Sequence, residues 1–286
     1  MIQDYLIAGF RLRMKGEPLV KTSEAIEGFR TFATEPAGEA PFQLVWTEET
    51  APEFTTKLYQ TQQELTSNCF GRYENGYLFA TRYHHTDAQP LCVWVPEGGN
   101  TAYVQGNLNP NLLRFACWIA FGILIAPHKA VAIHTSAIVF RDKAVLFLGE
   151  SGTGKSTHTR LWRENIAGAT LLNDDSPIVR IHNGIPNVYG SPWSGKTPCY
   201  KTEMHELVGC VRLSQAPFNE IRKLNVMQAY AALHPSCPPD FAYDEKLYDS
   251  ISEVLNDILT QVPVYHLACL PNAEAARLSC KTIFGI

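Results

Sequence analysis

Gly149-Glu150-Ser151-Gly152-Thr153-Gly154-Lys155-Ser156-Thr157 fits the pattern G-x-x-x-x-G-K-[ST] without a mismatch. The five residues before it, Ala144-Val145-Leu146-Phe147-Leu148, form a short apolar run of the kind found in buried parallel strands. The residues from Lys155 onward predict a helix to about Asn165, with Leu161 and Trp162 on one side and Arg160, Arg163 and Glu164 facing water. Strand, glycine loop and helix, in that order, are the setting in which this pattern cradles phosphate.

The residue types explain the spacing. Gly149, Gly152 and Gly154 let the backbone curl so that successive N–H groups point into one concavity. The helix N-terminus places its partial positive charge behind them. Lys155 has the reach to meet the β- and γ-phosphates of a nucleoside triphosphate, and the Ser156 hydroxyl suits a Mg²⁺ ion. Residues 149–157 are therefore the expected nucleotide-binding set, with ATP or another nucleoside triphosphate and Mg²⁺ as cofactors.

Composition narrows the class. The chain has 286 residues, 45% hydrophobic and 18% charged, with a formal net charge of −4. That length predicts one or two domains. The mild acidity argues against nucleic acid or an anionic membrane as partner. The longest apolar run, residues 115–126, is short for a membrane span and reads as a buried helix. Asp4 interrupts any basic-then-apolar leader pattern. The eight cysteines are scattered, with no C-x-x-C, which predicts small core residues in a reducing, cytoplasmic setting.

Upstream of the glycine loop the chain reads as β-rich. Residues 5–14 and 42–46 are expected strands, residues 71–80 a hairpin turning at Asn75-Gly76, and residues 91–104 a second hairpin. His84 and His85 lie in a polar stretch with no third ligand at useful spacing and read as solvated loop. Asn109 as cap with Pro110 at the first helical position predicts a helix that runs to Pro127. The expected boundary precedes it: a smaller β-rich domain over residues 1–106 and an α/β domain carrying the glycine loop over residues 107–286, α+β overall.

Downstream, residues 169–172 predict a short strand that delivers Asn173, Asp174 and Asp175 at its end. In open α/β sheets the ligand lies at the carboxyl ends of strands, so these carboxylates are expected beside the phosphates. Two adjacent aspartates can divide the work, one taking the proton of an attacking hydroxyl and one holding metal. Residues 178–189 predict a third hairpin at Asn183-Gly184. It opens into Gly190-Ser191-Pro192-Trp193-Ser194-Gly195-Lys196-Thr197, read as a loop with an exposed tryptophan. Its Lys196 is a candidate for carrying charge to the transferring phosphoryl group. The remaining chain predicts strands over residues 206–213 and 264–269, and helices ending at Leu233, over residues 243–259, and after Asn272. His134 interrupts an apolar alternation, and from its neighbours alone it reads as a core histidine.

Ile133-His134, the strand-turn-strand that follows, the glycine loop, and Leu171-Leu172-Asn173-Asp174-Asp175 together resemble the catalytic domain of HPr kinase/phosphorylase. That fold group also includes phosphoenolpyruvate carboxykinase. The resemblance covers residues 130–180 and loosens toward the C-terminus. It implies a P-loop kinase domain that moves a phosphoryl group from ATP to a serine-type hydroxyl. It implies His134 as an active-site residue, Asp174 as base, and Asp175 as a metal or phosphate-site residue beside Ser156. The arginine- and glycine-rich signature that follows in HPr kinases is absent, and residues 191–196 stand near its place. The pattern is closer to the HPr-kinase-related proteins of modified-peptide gene clusters. The expected acceptor is a protein, peptide or small molecule, and the resemblance implies homo-oligomerisation. A nucleotide-binding regulator without turnover and a carboxykinase-like enzyme are the competing readings.

Overall fold

The computed structural model describes residues 1–84, 86–195 and 197–286. It is mixed α/β with two β-rich sheets. The chain divides into two compact units, residues 1–128 with 239–248, and residues 129–238 with 249–286.

The first unit is built on one sheet, and among the described residues it has nine strands. In chain order these are β1 (Ile2–Ile7), β2 (Phe10–Lys15), β3 (Ala33–Thr34), β4 (Phe42–Trp46), β5 (Thr56–Gln62), β6 (Thr66–Tyr73), β7 (Gly76–Tyr83), β8 (Leu91–Pro96) and β9 (Thr101–Gln105). Their spatial order is β3-β1-β2-β4-β9-β8-β7-β6-β5. The continuous strand expected over residues 5–14 is instead a hairpin, because Ala8 and Gly9 both take positive φ, 51° and 76°. Apolar alternation runs on through the turn and hides it. The turn expected at Asn75-Gly76 sits one residue earlier. Gly76 already pairs with Tyr73, and a Cβ on it would meet the Val95 carbonyl at 2.1 Å. That glycine serves strand packing.

Two short helices, α1 (Glu17–Glu24) and α2 (Glu27–Phe32), and the apolar α3 (Pro110–Ile125) complete this unit. Asn109 caps α3, its side chain accepting from the Asn111 amide at 2.9 Å, with Pro110 in the first turn. The unit boundary therefore falls after residue 128 and not at 106. The buried face of α3 packs on β7 and β8, as in the edge-to-face contact of Phe115 with Phe79, and it cannot leave that sheet without exposing its core. Residues 239–248 return to the same unit. Phe241 packs against Gly122 and Phe70, and Asp244 accepts from Arg72 at 2.7 Å. The helix with its last turn, Pro110–His128, is longer than the run read from sequence. By length and composition it could cross a membrane, but most of it is buried within the fold.

The second unit contains β10 (Ala130–Ala132), β11 (Thr135–Phe140), β12 (Lys143–Leu148), α4 (Lys155–Asn165), β13 (Thr170–Asp175), β14 (Ile178–His182), β15 (Ile185–Tyr189), β16 (Met204–Gln215), β17 (Glu220–Lys223), α5 (Val226–Leu233), α6 (Glu245–Gln261, whose first residues count with the first unit), β18 (Val264–Cys269) and α7 (Ala273–Phe284). The sheet runs β10-β14-β15-β16-β12-β11-β13, and β18 joins β16 and carries β17 on its far edge. On one face α4 and α7 cover a core of Phe140, Phe147, Trp162, Val211, Leu213 and Leu267. Trp162 is fully buried, its indole N–H donating to Ser279 Oγ at 2.9 Å. The same serine engages His158, whose imidazole burial pushes down to about 4.

Three adjacent strands fix the site. The central β11 pairs antiparallel with β12 on one side and β13 on the other, so β12 and β13 point the same way. Thr135, the first residue of β11, lies opposite Leu148 and opposite Asp175. The carboxyl ends of β12 and β13 and the residue just before β11 are thereby brought to one edge of the sheet.

Candidate active site

The loop after Leu148 is built from three glycines at positive φ: Gly149 at 157°, Gly152 at 82° and Gly154 at 105°. Gly154 is the residue from which α4 starts. The Thr153 hydroxyl donates to the Glu150 carbonyl at 2.7 Å and closes the curl. Glu150 is mostly exposed, its carboxylate 3.6 Å from Arg212, which lies opposite Leu148 on β16.

Lys155 folds back over the loop, its Nζ donating to the carbonyls of Gly149 at 2.7 Å and Glu150 at 3.2 Å. The same Nζ lies 3.1 Å from His134 Nε2, and His134 Nδ1 lies 3.0 Å from Asp175 Oδ1. A charged lysine can only donate, so Nε2 accepts and the ring proton sits on Nδ1, facing the carboxylate. Burial pushes the Lys155 ammonium below its usual range, while the carboxylates of Asp175 and Asp174 pull it back up. His134 precedes β11, where its amide donates to the Ser236 carbonyl at 2.6 Å, and its side chain is 48% exposed. It is a cavity residue, not the core histidine that its apolar neighbours suggest.

Asp174 is buried, and its Oδ1 accepts from Ser156 Oγ at 3.0 Å. The expected strand over residues 169–172 runs on to Asp175, so both carboxylates leave from a hydrogen-bonded strand instead of a loose turn. Asp175 has φ 155°, a conformation that non-glycine residues rarely adopt, and its bridge to Ser194 holds it there.

The loop expected to be exposed is locked in place. Trp193 is 2% exposed. The Asn173 amide donates to the Ser191 and Trp193 carbonyls at 3.3 and 3.2 Å, and its oxygen accepts from the Ser176 amide at 2.9 Å. The Gly195 amide donates to the Asp174 carbonyl at 2.5 Å, and a Cβ at Gly195 would meet that oxygen at 2.9 Å. A serine-, proline- and glycine-rich composition reads as solvated, but here those small residues allow the loop to press against β13. Lys196 lies outside the described residues.

These groups surround a cavity of about 380 Å³ lined by His134, Thr135, Lys155, Ser156, Asp174 and Asp175, with Ser151, Gly152, Gly154, Thr157 and Gly195. Gly149 and Glu150 contribute the carbonyls that hold Lys155, and Thr153 faces a neighbouring cavity. Gly195 and Thr135 were not singled out from sequence. Gly195 was legible only as one glycine in a polar loop, and Thr135 carried no signal. No cluster of three or more His, Cys, Asp or Glu side chains suited to a metal occurs among the described residues.

No protein-family model and no curated protein matches the chain. Among solved structures, an HPr(Ser) kinase/phosphatase from Coxiella burnetii is similar at 14% identity over 54% of this chain and 88% of that one, with a TM-score of 0.30.

Proposed function

We propose that this protein is a Mg²⁺- and nucleoside-triphosphate-dependent kinase that transfers the γ-phosphoryl group to a serine-type hydroxyl, in the manner of the HPr-kinase-related proteins its motifs resemble. The observation that carries the reading is the meeting of Lys155, Ser156, Asp174, Asp175 and His134 around one cavity at the mouth of a three-glycine loop. A structural glycine turn would not require two carboxylates and a histidine brought in from two other strand ends.

The hydrogen bonds favour an exchange of the roles expected for the aspartates. Asp174 is tied to the Ser156 hydroxyl, and this pair offers the hard oxygen donors that suit Mg²⁺. Mg²⁺ is commonly held by one or two carboxylates plus substrate phosphates, so the lack of a larger ligand cluster among the described residues fits it. When bound, the ion would neutralise charge on the phosphates. Asp175 is paired with His134 instead of Ser156, and is better placed to accept the acceptor's proton. Transfer breaks the bond between the γ-phosphorus and the β–γ bridging oxygen and forms one to the acceptor oxygen. The hydroxyl proton passes to the Asp175 carboxylate. His134 orients that carboxylate, and Lys155 turns from the loop carbonyls to the phosphates.

The Asp174→Asn variant tests the division. Its Mg²⁺ concentration for half-maximal transfer should rise about ten- to a hundredfold, the range for losing a group that ligates or orients at a metal. Transfer at saturating Mg²⁺ should largely recover. An unchanged Mg²⁺ requirement would remove Asp174 from the metal side.

A further inference from the structure

One cross-strand row runs from the candidate base to the far edge of the second sheet. Asp175 lies opposite Thr135, Thr135 opposite Leu148, and Leu148 opposite Arg212. Arg212 lies opposite His266, and His266 opposite Arg222. Residues directly opposite on paired strands share a face. Val211, Leu213 and Leu267 alternate with the row and point into the core under α4 and α7, so the row lies on the other face. There its basic members feel one another. Burial first, then the charges of Arg222 and Arg212, hold the His266 ring below its usual range, while Glu220 pulls it up. Arg212 also adds to the burial that lowers the Lys155 ammonium.

The neighbours of the two arginines leave room for an anion. Arg212 is 23% exposed and is paired at 3.6 Å with Glu150, whose side chain is 87% exposed. A carboxylate arriving from solvent can take the place of Glu150. Arg222 is exposed, its Nη1 donating to Gln228 Oε1 at 3.3 Å. Between them, His266 Nε2 lies 3.0 Å from Ser214 Oγ. An arginine fork can hold a carboxylate through two N–H groups at once.

The spacing sets the size of the occupant. Strands lie about 4.8 Å apart, which places Arg212, three strands from β13, about 14 Å from Asp175, and Arg222, two strands further, about 24 Å away. A small acceptor filling the cavity of about 380 Å³ beside Asp175 ends short of both. An extended peptide advances about 3.3 Å per residue, so residues about four and about seven positions from its serine arrive over the two arginines. Resting on the phosphoacceptor reading above, we propose that the acceptor is an acidic peptide, laid in extended form across the strand ends, its serine at Asp175 and its carboxylates held by Arg212 and Arg222.

Fluorescence anisotropy with labelled synthetic peptides tests this, with MgADP present so that no transfer occurs. Each peptide has one serine, and the fourth and seventh positions on both sides of it are all Glu, all Gln or all Lys. The wild type should bind the Glu peptide about tenfold more tightly than the Gln peptide. Arg212→Gln and Arg222→Gln should each shrink that preference to about threefold, and the double variant should abolish it. MgATP affinity should stay within about twofold in all three, which reports a folded protein. Arg222→Glu should shift preference toward the Lys peptide, a reversal that a purely structural arginine would not give. If the double variant loses MgATP binding, Arg222→Glu, at an exposed strand position, decides. Equal affinity of the wild type for the Glu and Gln peptides, or no shift toward Lys in Arg222→Glu, overturns the acidic-peptide proposal. Failure of the kinase reading shows separately, as a wild type that does not bind MgATP.

Discussion

Asp175→Asn should cut phosphoryl transfer by about a hundredfold to ten-thousandfold, the range for removing a general base. MgATP affinity should stay within about twofold, since an interaction made only as the acceptor loses its proton does not contribute to ground-state binding. A serine-type hydroxyl is a poor nucleophile at neutral pH, and its proton must go to a positioned group as the new bond forms. In the proposed mechanism Asp175 is held for that task twice over. His134 Nδ1 lies 3.0 Å from one carboxylate oxygen, leaving the other for the acceptor. The backbone is fixed at φ 155° by the bridge to Ser194. Asparagine keeps the size and the hydrogen-bonding reach but cannot take the proton. The measurement is transfer of labelled γ-phosphoryl to acceptors supplied by a lysate of the source cells. Asp175→Asn working at the wild-type rate, with Asp174→Asn a hundredfold slower even at saturating Mg²⁺, would restore the roles read from sequence.

Lys155→Ala should weaken both ATP and tripolyphosphate by about ten- to a hundredfold, the usual worth of a charge-assisted hydrogen bond converted to affinity. Transfer should fall further still, because charge on the γ-phosphoryl oxygens and leaving group is greatest in the transition state. The lysine is half-buried and already desolvated, so its attraction to phosphate is less screened than that of a surface lysine. It also braces the loop through the Gly149 and Glu150 carbonyls. Lys155→Arg is the companion variant: it keeps the charge, but its longer fork should not fit between His134 and the loop. Equal binding of both probes by wild type and Lys155→Ala would show that phosphate does not sit here.

The glycine loop and the helix after it were legible because their residues are consecutive and each has a local reason to be there. The Asp174-Asp175 pair was legible for a related cause: a short apolar run before two carboxylates marks a strand end. His134 was different. Apolar neighbours surround it in sequence, and only the family pattern pointed to the site. Its exposure follows from β11 starting one residue later, between the carboxyl ends of β12 and β13. The 190–195 loop misled because its small polar residues look solvated, whereas Asn173, buried on β13, ties it down through the Ser191 and Trp193 carbonyls. The cavity that Thr153 faces could not be read at all. Its walls come from the glycine loop and α4 and, more than fifty positions further on, from the ends of β16 and β18, which pair in parallel. The boundary near 106 missed for a similar reason. A capped helix start looks like the opening of a domain, but its buried face belongs to the sheet that precedes it.

The most direct test of the account is calorimetric titration of the wild-type protein with ATP, in the presence and absence of Mg²⁺. The account predicts one nucleotide per chain, bound at least about tenfold more tightly with Mg²⁺ because Ser156 and Asp174 share the ion with the phosphates. No binding of ATP under either condition, or an affinity indifferent to Mg²⁺, would contradict it.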